Sequence, residues 1–554
     1  MKERWIFVKE LPIGIDDFKN IIDNEYFYAD KSLFIKEISK NIGKTLLFTR
    51  PRRFGKTLNM SMVKYFYDIK GNEKNRELFK NLNIEKTSIM AEQGQYPVIF
   101  ISFKEVKFNT YEKLFEQVKI LISEVYRENI DILEGLNSID KEVFIKYLKK
   151  EANEVEVINS LKFLSQLLYD QYGKKVVVLI DEYDTAIVSA YENDYYKEAM
   201  EFFRGLYSST LKGNKYLYIG VMTGILRVAK EGIFSGLNNL MVYSILDDDY
   251  SQYFGLTEDE VESALKYYQI EYKLEAVKDW YNGYKFGNTE IYNPWSILYY
   301  IESRLLKSYW VNSSDNFLIN EVLKEADNEI FEDLKKLFSG ESVEQYIDEN
   351  LLFDDLTVQN SLWSLLLYTG YLSLDKIITS EKISMKIPNR EIYSFFRKVF
   401  LEKISNKNTR YFEDMITNLK KKRIVGENSF ESNLRRILQV AMSSYDNKEA
   451  FYHGFVLGMM VILEKEYIVL SNTETGDGRA DIILEPRYKN HTGYIFEFKL
   501  SKIESEEKLE YHVKEALEQI EKKKYTAILE ERGVKDIVKI GIAFYKKNLL
   551  VDYK

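Results

Sequence analysis

The chain has 554 residues, of which 45% are hydrophobic and 30% charged, the balance of a globular protein with a sizeable core in each of about two to four domains. It has no cysteine and 3 histidines, which excludes disulfides, zinc ribbons and thiol catalysis and argues against a His-rich metal site. A formal net charge of -9 argues against coating of nucleic acid by the whole surface and leaves room for a local basic groove. Only 6 prolines occur, so Pro-rich linkers are absent. Met1 to Glu10 lacks the apolar core of a signal peptide, and no run of about 18 apolar residues follows, so the expectation is a cytoplasmic protein with no membrane partner.

The front reads as α/β. Lys44-Thr45-Leu46-Leu47-Phe48-Thr49 predicts a strand that ends at Arg50, and an amphipathic helix follows from Thr57 to about Asp68. Val98 to Phe103, Val176 to Ile180 and Tyr216 to Met222 are further apolar runs. Strands of this kind, separated by helical stretches, predict a parallel sheet covered on both faces over residues 1–254.

Arg50-Pro51-Arg52-Arg53-Phe54-Gly55-Lys56-Thr57 lies between the first strand and its helix. A phosphate loop works there by aiming backbone N–H groups and a lysine at a triphosphate. The full pattern is G-x-x-x-x-G-K-[ST]. Arg50 replaces the first glycine, while Gly55, Lys56 and Thr57 are in place. Lys56 is expected on the β- and γ-phosphates, Thr57 on Mg²⁺, and Arg52 and Arg53 beside the same phosphates. Leu179-Ile180-Asp181-Glu182-Tyr183-Asp184 fits the partner strand, with Asp181 holding Mg²⁺ through water and Glu182 polarising the attacking water. Thr223 is placed as a polar sensor at the end of the Tyr216–Met222 strand, or as a capping Thr. Arg227 is either a second site arginine or a surface residue. Arg52 and Arg227 are also candidates for an arginine supplied in trans.

From 255 to 435 the apolar spacing is helical and strands are scarce, as in a lid or connector. Trp280-Tyr281-Asn282-Gly283-Tyr284-Lys285-Phe286-Gly287 reads as an aromatic-rich turn packed on the core. From 436 to 554 the pattern is helix, strand, turn, strand, helix, strand. Gly478-Arg479-Ala480-Asp481-Ile482-Ile483-Leu484 and Tyr494-Ile495-Phe496-Glu497-Phe498-Lys499-Leu500 are expected to pair as a hairpin. Glu497 and Lys499 then share one strand face, and Phe496 and Phe498 pack on the other. A buried face carrying Glu and Lys is costly unless they serve each other, a metal or a substrate. Asp481 and Glu497 can hold one or two Mg²⁺, and Lys499 can orient or activate a water, which is the equipment for cutting a phosphodiester. Glu449 is a further metal ligand or an ordinary acid at a helix N-terminus. Gln519 is a hydrogen-bond donor to a metal-bound water or phosphate, or a solvated helix residue. Arg479 precedes the Asp, and Glu474 is a nearby acid without an assigned role.

At these residues the chain resembles a known architecture. The front resembles the AAA-ATPase-like domain that carries "RPRRFGKT" and "DEYD", here Arg50 to Thr57 and Asp181 to Asp184. The Trp280-to-Tyr284 cluster and Tyr309-Trp310-Val311-Asn312-Ser313 are similar to that family too. The tail resembles a nuclease domain of the PD-(D/E)XK superfamily, at Tyr452-His453-Gly454, Gly476, Gly478 to Asp481, Glu497 to Lys499 and Gln519-Ile520. The resemblance implies an α/β P-loop NTPase with a parallel sheet, a helical middle region and a C-terminal restriction-endonuclease-like α/β domain. It implies ATP and Mg²⁺ as cofactors, nucleic acid as partner with DNA favoured, and a role in defence or mobile elements. The resulting expectation is an ATP-regulated, Mg²⁺-dependent nuclease. A nucleotide-dependent scaffold that binds nucleic acid without cutting, and an ATP-driven DNA remodeller, stay open as rivals, as does homo-oligomerisation.

Overall fold

The computed structural model describes residues 9–227, 234, 239–270, 274–311, 330, 333–334, 336–337, 340–348, 359–396, 409–441, 449–460, 463, 466–488 and 491–554. The chain splits into two compact units, Met1–Val322 with Glu344–Ile392, and Leu323–Val343 with Tyr393–Lys554.

The first unit is built on a parallel sheet of β1 (Thr45–Thr49), β2 (Val98–Ser102), β3 (Val176–Asp181), β4 (Leu217–Gly224) and β5 (Leu240–Tyr243), in the order β2-β3-β4-β1-β5. Every residue of β1, β3 and β4 is buried, as a strand with helices on both faces requires. The helices include α1 (Lys56–Tyr67), α2 (Tyr111–Glu128), α3 (Glu154–Tyr172) and α4 (Tyr196–Leu211). The start of α3 follows from its sequence. The Asn153 side chain accepts from the Glu156 N–H, and the Glu156 side chain accepts from the Asn153 N–H. This reciprocal cap stabilises a helix by about 1 kcal/mol.

Strand order places the functional loops. Because β4 lies between β1 and β3, the loop after β1 and the acids ending β3 flank the C-terminal end of β4. Thr223 lies inside β4 and not beyond it, a correction to the expected strand end. β5 has no counterpart in the sequence reading. It is a four-residue edge strand, mostly half-buried, and so short a run carries no periodic signal.

The expected helical middle is helical with additions. Helix α5 (Pro294–Ser303) follows the hairpin β6 (Tyr284–Phe286) and β7 (Thr289–Ile291), and a small sheet β8 (Val343–Tyr346), β9 (Ser373–Ile377) and β10 (Lys382–Lys386) comes later. These strands have three to five residues, too few to show against the helical spacing around them. The Trp280–Gly287 cluster ends a helix and opens the β6–β7 hairpin, with Tyr281, Tyr284 and Phe286 buried.

The second unit carries α6 (Thr409–Lys420), α7 (Phe430–Ala441) and α8 (Glu449–Met460), then β11 (Tyr467–Thr475), β12 (Gly478–Pro486) and β13 (Gly493–Leu500). Helix α9 (Glu506–Lys522) precedes β14 (Ile537–Tyr545) and β15 (Asn548–Tyr553). The sheet order follows the chain, β11 to β15, with β13 and β14 parallel and the other neighbours antiparallel. Alternation along β13 divides its side chains. Phe496 and Phe498 join the core beneath α6, α7 and α8, while Ile495 joins the core beneath α9. Glu497 and Lys499 therefore share the α9 face, as their spacing predicts.

Candidate active sites

The loop from Arg50 to Gly55 joins β1 to α1. Gly55 has φ +83°, which a side chain disfavours, and a Cβ there would meet nothing within 4 Å. The N-terminus of α1 thus opens on space, with backbone N–H groups and the helix dipole directed into it. Lys56 is buried, and its Nζ donates to the carbonyls of Arg50 and Pro51 at 2.9 Å each. Burial lowers its pKa, against the acids Glu182, Asp184 and Asp181. An ammonium held at an open helix N-terminus fits a phosphate ligand.

Asp181 is 0% exposed and gathers three hydroxyls. Thr57 Oγ1 donates to it at 2.9 Å, Thr223 Oγ1 at 2.5 Å and Ser102 Oγ at 3.3 Å. Burial raises its pKa, and the Thr223 hydrogen bond opposes that rise. Glu182 sits beside it in a left-handed conformation at φ +51°, a strained backbone for a non-glycine. Its carboxylate accepts from Thr185 Oγ1 at 3.1 Å. The structure therefore brings Lys56, Thr57, Asp181, Glu182 and Thr223 together.

Four arginines have separate fates. Arg50, standing where the pattern has glycine, is fully buried with its guanidinium over Phe254 and Phe286 at 5.1 and 5.2 Å. It donates to the carbonyls of Thr49 and Tyr243, while Nε and one terminal nitrogen have no partner. Arg52 lines a recess with Lys107, Thr185, Ser189 and Glu192. Arg53, in a left-handed conformation at φ +68°, lays its guanidinium over Trp295 at 4.0 Å. Arg227 is half-buried just past the turn after β4.

Asp184 was not assigned a role by sequence. It is buried and accepts from the Ile225 and Leu226 N–H groups at 2.8 Å each. Tyr183 donates its hydroxyl to the Leu226 carbonyl at 2.6 Å. The second half of Asp-Glu-Tyr-Asp therefore ties down the turn after Thr223. Its signal was the repeated Asp at a strand end.

In the second unit the β12–β13 ladder runs from Leu484–Tyr494 to Ile482–Phe496 and stops there. The next β12 residue is Asp481, whose carboxylate accepts the Phe498 N–H at 2.7 Å. Where the two strands stop pairing, a side chain takes over a ladder bond, and this aims Asp481 at β13. Glu497 is 3% exposed. One of its oxygens accepts from Lys499 Nζ at 3.2 Å and from Gln519 Nε2, which also donates to the Tyr525 hydroxyl at 3.1 Å. The other oxygen, Oε2, is buried with no partner. Burial and then the Asp481 charge raise Glu497 to about 7, and burial raises Asp481 as well. Two desolvated carboxylates, one with an unpartnered oxygen, fit a divalent cation that takes oxygen ligands. Among the described residues no group of three or more His, Asp or Glu side chains could hold a metal ion; Asp481 and Glu497 are a pair.

Gln519 is thus a partner of Glu497 and not a solvated helix residue. Arg479 pairs with Glu474 at 3.3 Å on the surface. Glu449 is the first residue of α8, and its side chain lies outside the described residues. His453 carried only a resemblance in the sequence. Its Nε2 lies 2.9 Å from the Asp481 carbonyl oxygen and 3.2 Å from Ser471 Oγ, so it holds the Asp481 backbone from the α8 side of the sheet.

Among the described residues no helix is long and apolar enough to cross a membrane. A family model described as "Predicted AAA-ATPase" matches residues 12–234, and one described as "PD-(D/E)XK nuclease superfamily" matches residues 447–554. A protein of Azotobacter chroococcum mcd 1, named an uncharacterized protein in the vnfD 5′ region, is 25% identical over 399 residues, 71% of this chain and 70% of that one. The two matches suggest a nucleotide-dependent nuclease, and each contains one of the two constellations: the chain carries an AAA-ATPase-like domain at its front and a domain of the PD-(D/E)XK nuclease superfamily at its C-terminal end.

Proposed function

We propose that the protein is an ATP-regulated, Mg²⁺-dependent nuclease whose favoured substrate is DNA. The observation that carries the cutting reading is Glu497, a buried carboxylate with an unpartnered oxygen beside the half-buried carboxylate of Asp481. Asp481 and Glu497 would hold the magnesium, which when bound supplies an activated water and charge neutralisation at the phosphate. Lys499 donates to the attacking water or to a phosphate oxygen. Gln519 holds Glu497 in place through the oxygen that Lys499 also contacts.

In the front unit, Lys56 and the N–H groups entering α1 bind the triphosphate. Thr57 and Asp181 would hold its magnesium, Glu182 orients water, and Thr223 couples Asp181 to the turn that Asp184 holds. Nucleotide bound here gates the nuclease.

The test incubates the full chain with plasmid and linear DNA, Mg²⁺, and ATP, a non-hydrolysable analogue or no nucleotide. Cutting is expected to fall at least about 100-fold in Asp481→Ala and to lose its nucleotide dependence in Lys56→Ala. Cutting that persists in Asp481→Ala overturns the nuclease assignment. Equal cutting by Lys56→Ala with and without ATP, matched by the same indifference in the unaltered chain, overturns the gating. Mg²⁺ binding without cutting of DNA or RNA would favour the scaffold reading.

A further inference from the structure

The phosphate loop is held by aromatic residues from outside its own sheet. Phe54 packs on Tyr284 and Phe286 at ring distances of 5.1 and 5.2 Å. Trp310 Nε1 donates to the Arg52 carbonyl at 3.1 Å. Trp295 faces the Arg53 guanidinium at 4.0 Å.

The placement of Trp295 is built in by its neighbours. Asn293 caps α5 by accepting the Ser296 N–H at 3.3 Å, and Pro294 supplies the first turn. The next residue is Trp295, with Tyr299 one turn later at 4.8 Å tilting against the ring. Ser296 Oγ donates to the buried Glu391 at 2.7 Å, and the other Glu391 oxygen accepts the Tyr309 and Trp310 N–H groups at 2.5 and 2.6 Å. One buried carboxylate therefore ties together the helix start that bears Trp295 and the turn that bears Trp310.

Arg53 also has a cost that needs a compensation. Its left-handed backbone is strained, of order 1 kcal/mol or more, and its side chain is exposed. A free exposed arginine would sample many rotamers, and the ring face selects one. Arg53 belongs to the loop that joins β1 to α1, two residues before Gly55.

We propose that Trp295 is the positioning residue that holds the Arg53 guanidinium at the mouth of the phosphate loop, so that Arg53 meets the terminal phosphate of a nucleoside triphosphate. This rests on the ATP-binding reading of the loop. In a loop whose first glycine is an arginine turned into the core, a second arginine is held at the mouth by an aromatic ring from a later helix. Arg53 then discriminates triphosphate from diphosphate, because only the former places charge at the loop mouth.

The test measures calorimetric binding of Mg²⁺-ATP and Mg²⁺-ADP to the full chain, with Arg53→Ala, Trp295→Leu, Trp295→Phe, the Arg53→Ala/Trp295→Leu double variant and Lys56→Ala. Trp295→Leu keeps an apolar side chain and removes the π-face. It is expected to weaken ATP about fivefold and leave ADP nearly unchanged, and Trp295→Phe is expected to restore most of the loss. The double variant is expected to bind ATP as Arg53→Ala does. The proposal is overturned if Trp295→Leu weakens ATP and ADP alike, or weakens Arg53→Ala as much as it weakens the unaltered chain, since a packing role needs no arginine. Should Trp295→Leu fail to fold, Trp295→Met, which also lacks the ring, against Arg53→Ala carries the same comparison. If the unaltered chain binds no nucleotide, the phosphate-loop reading fails and this proposal with it. Binding that is lost in Lys56→Ala but indifferent to Trp295 removes the proposal alone.

Discussion

Glu497 and Asp481 are costly residues in the metal-free protein. Glu497 takes its proton more tightly in the fold, at about 7 against an ordinary 4.5. A carboxylate with a raised folded pKa costs nothing below its unfolded value and destabilises as pH rises through the folded one. With a chelator present, thermal stability is therefore expected to fall between about pH 4.5 and 7 relative to Glu497→Gln, which has no charge to bury. Mg²⁺ at pH 8 is expected to raise the melting temperature of the unaltered chain and not that of Glu497→Gln. Parallel pH profiles for the two proteins would remove the cost of burying the Glu497 charge, and equal Mg²⁺ shifts would remove Glu497 from the proposed metal site. The acids themselves were legible in the sequence because each stands in an apolar run. The unpartnered Oε2 was not, because it depends on which oxygen Gln519 reaches from α9.

Strand ends do the positioning in both units. At the end of β4, Gly224 faces the segment that follows β3. A Cβ there would lie 2.5 Å from the Tyr183 ring and 2.8 Å from Asp184 Oδ1, closer than packed atoms approach, so Tyr183 and Asp184 must move. Gly224→Ala is expected to lower ATP turnover by about tenfold or more while nucleotide affinity changes by less than about threefold, because the added methyl meets Tyr183 and Asp184, whereas the tie to the loop, from the Arg50 N–H to the Gly224 carbonyl, is a backbone bond that alanine keeps. Steady-state hydrolysis beside equilibrium binding reads both numbers. Equal loss in each would show that β4 supports binding in general. At the end of β12, Asp481 replaces a ladder bond. The apolar runs of β1 to β4 were visible in the sequence, whereas β6 to β10 were not, because three to five residues of mixed polar and apolar character form neither an unbroken run nor enough alternations to read.

Two compact units, each with its own core, predict separate thermal transitions. ATP with Mg²⁺ is expected to raise the transition of the first unit, and Lys56→Ala to abolish that rise while the second transition stays put. Binding stabilises only the unit that holds the ligand, by RT ln(1 + [L]/Kd). A single transition that moves as a whole with ATP would show the units to be thermodynamically coupled, and scanning calorimetry distinguishes the two.

The sequence by itself determined which groups the chain carries: a Gly-Lys-Thr loop with an acidic partner strand, and two acids with a lysine on adjoining strands. Those patterns are local, because N–H groups at a helix start and side chains two apart on a strand are set by backbone periodicity. Tertiary structure decided the rest. It placed β4 between β1 and β3, so that Thr57 and Thr223 both reach Asp181. It turned Arg50 into the core and stacked Arg53 on Trp295, and it brought Gln519 and His453 to Glu497 and Asp481 from opposite faces of one sheet. Each of these contacts joins residues far apart in the chain, and no spacing along a sequence encodes which distant segment will pack beside another.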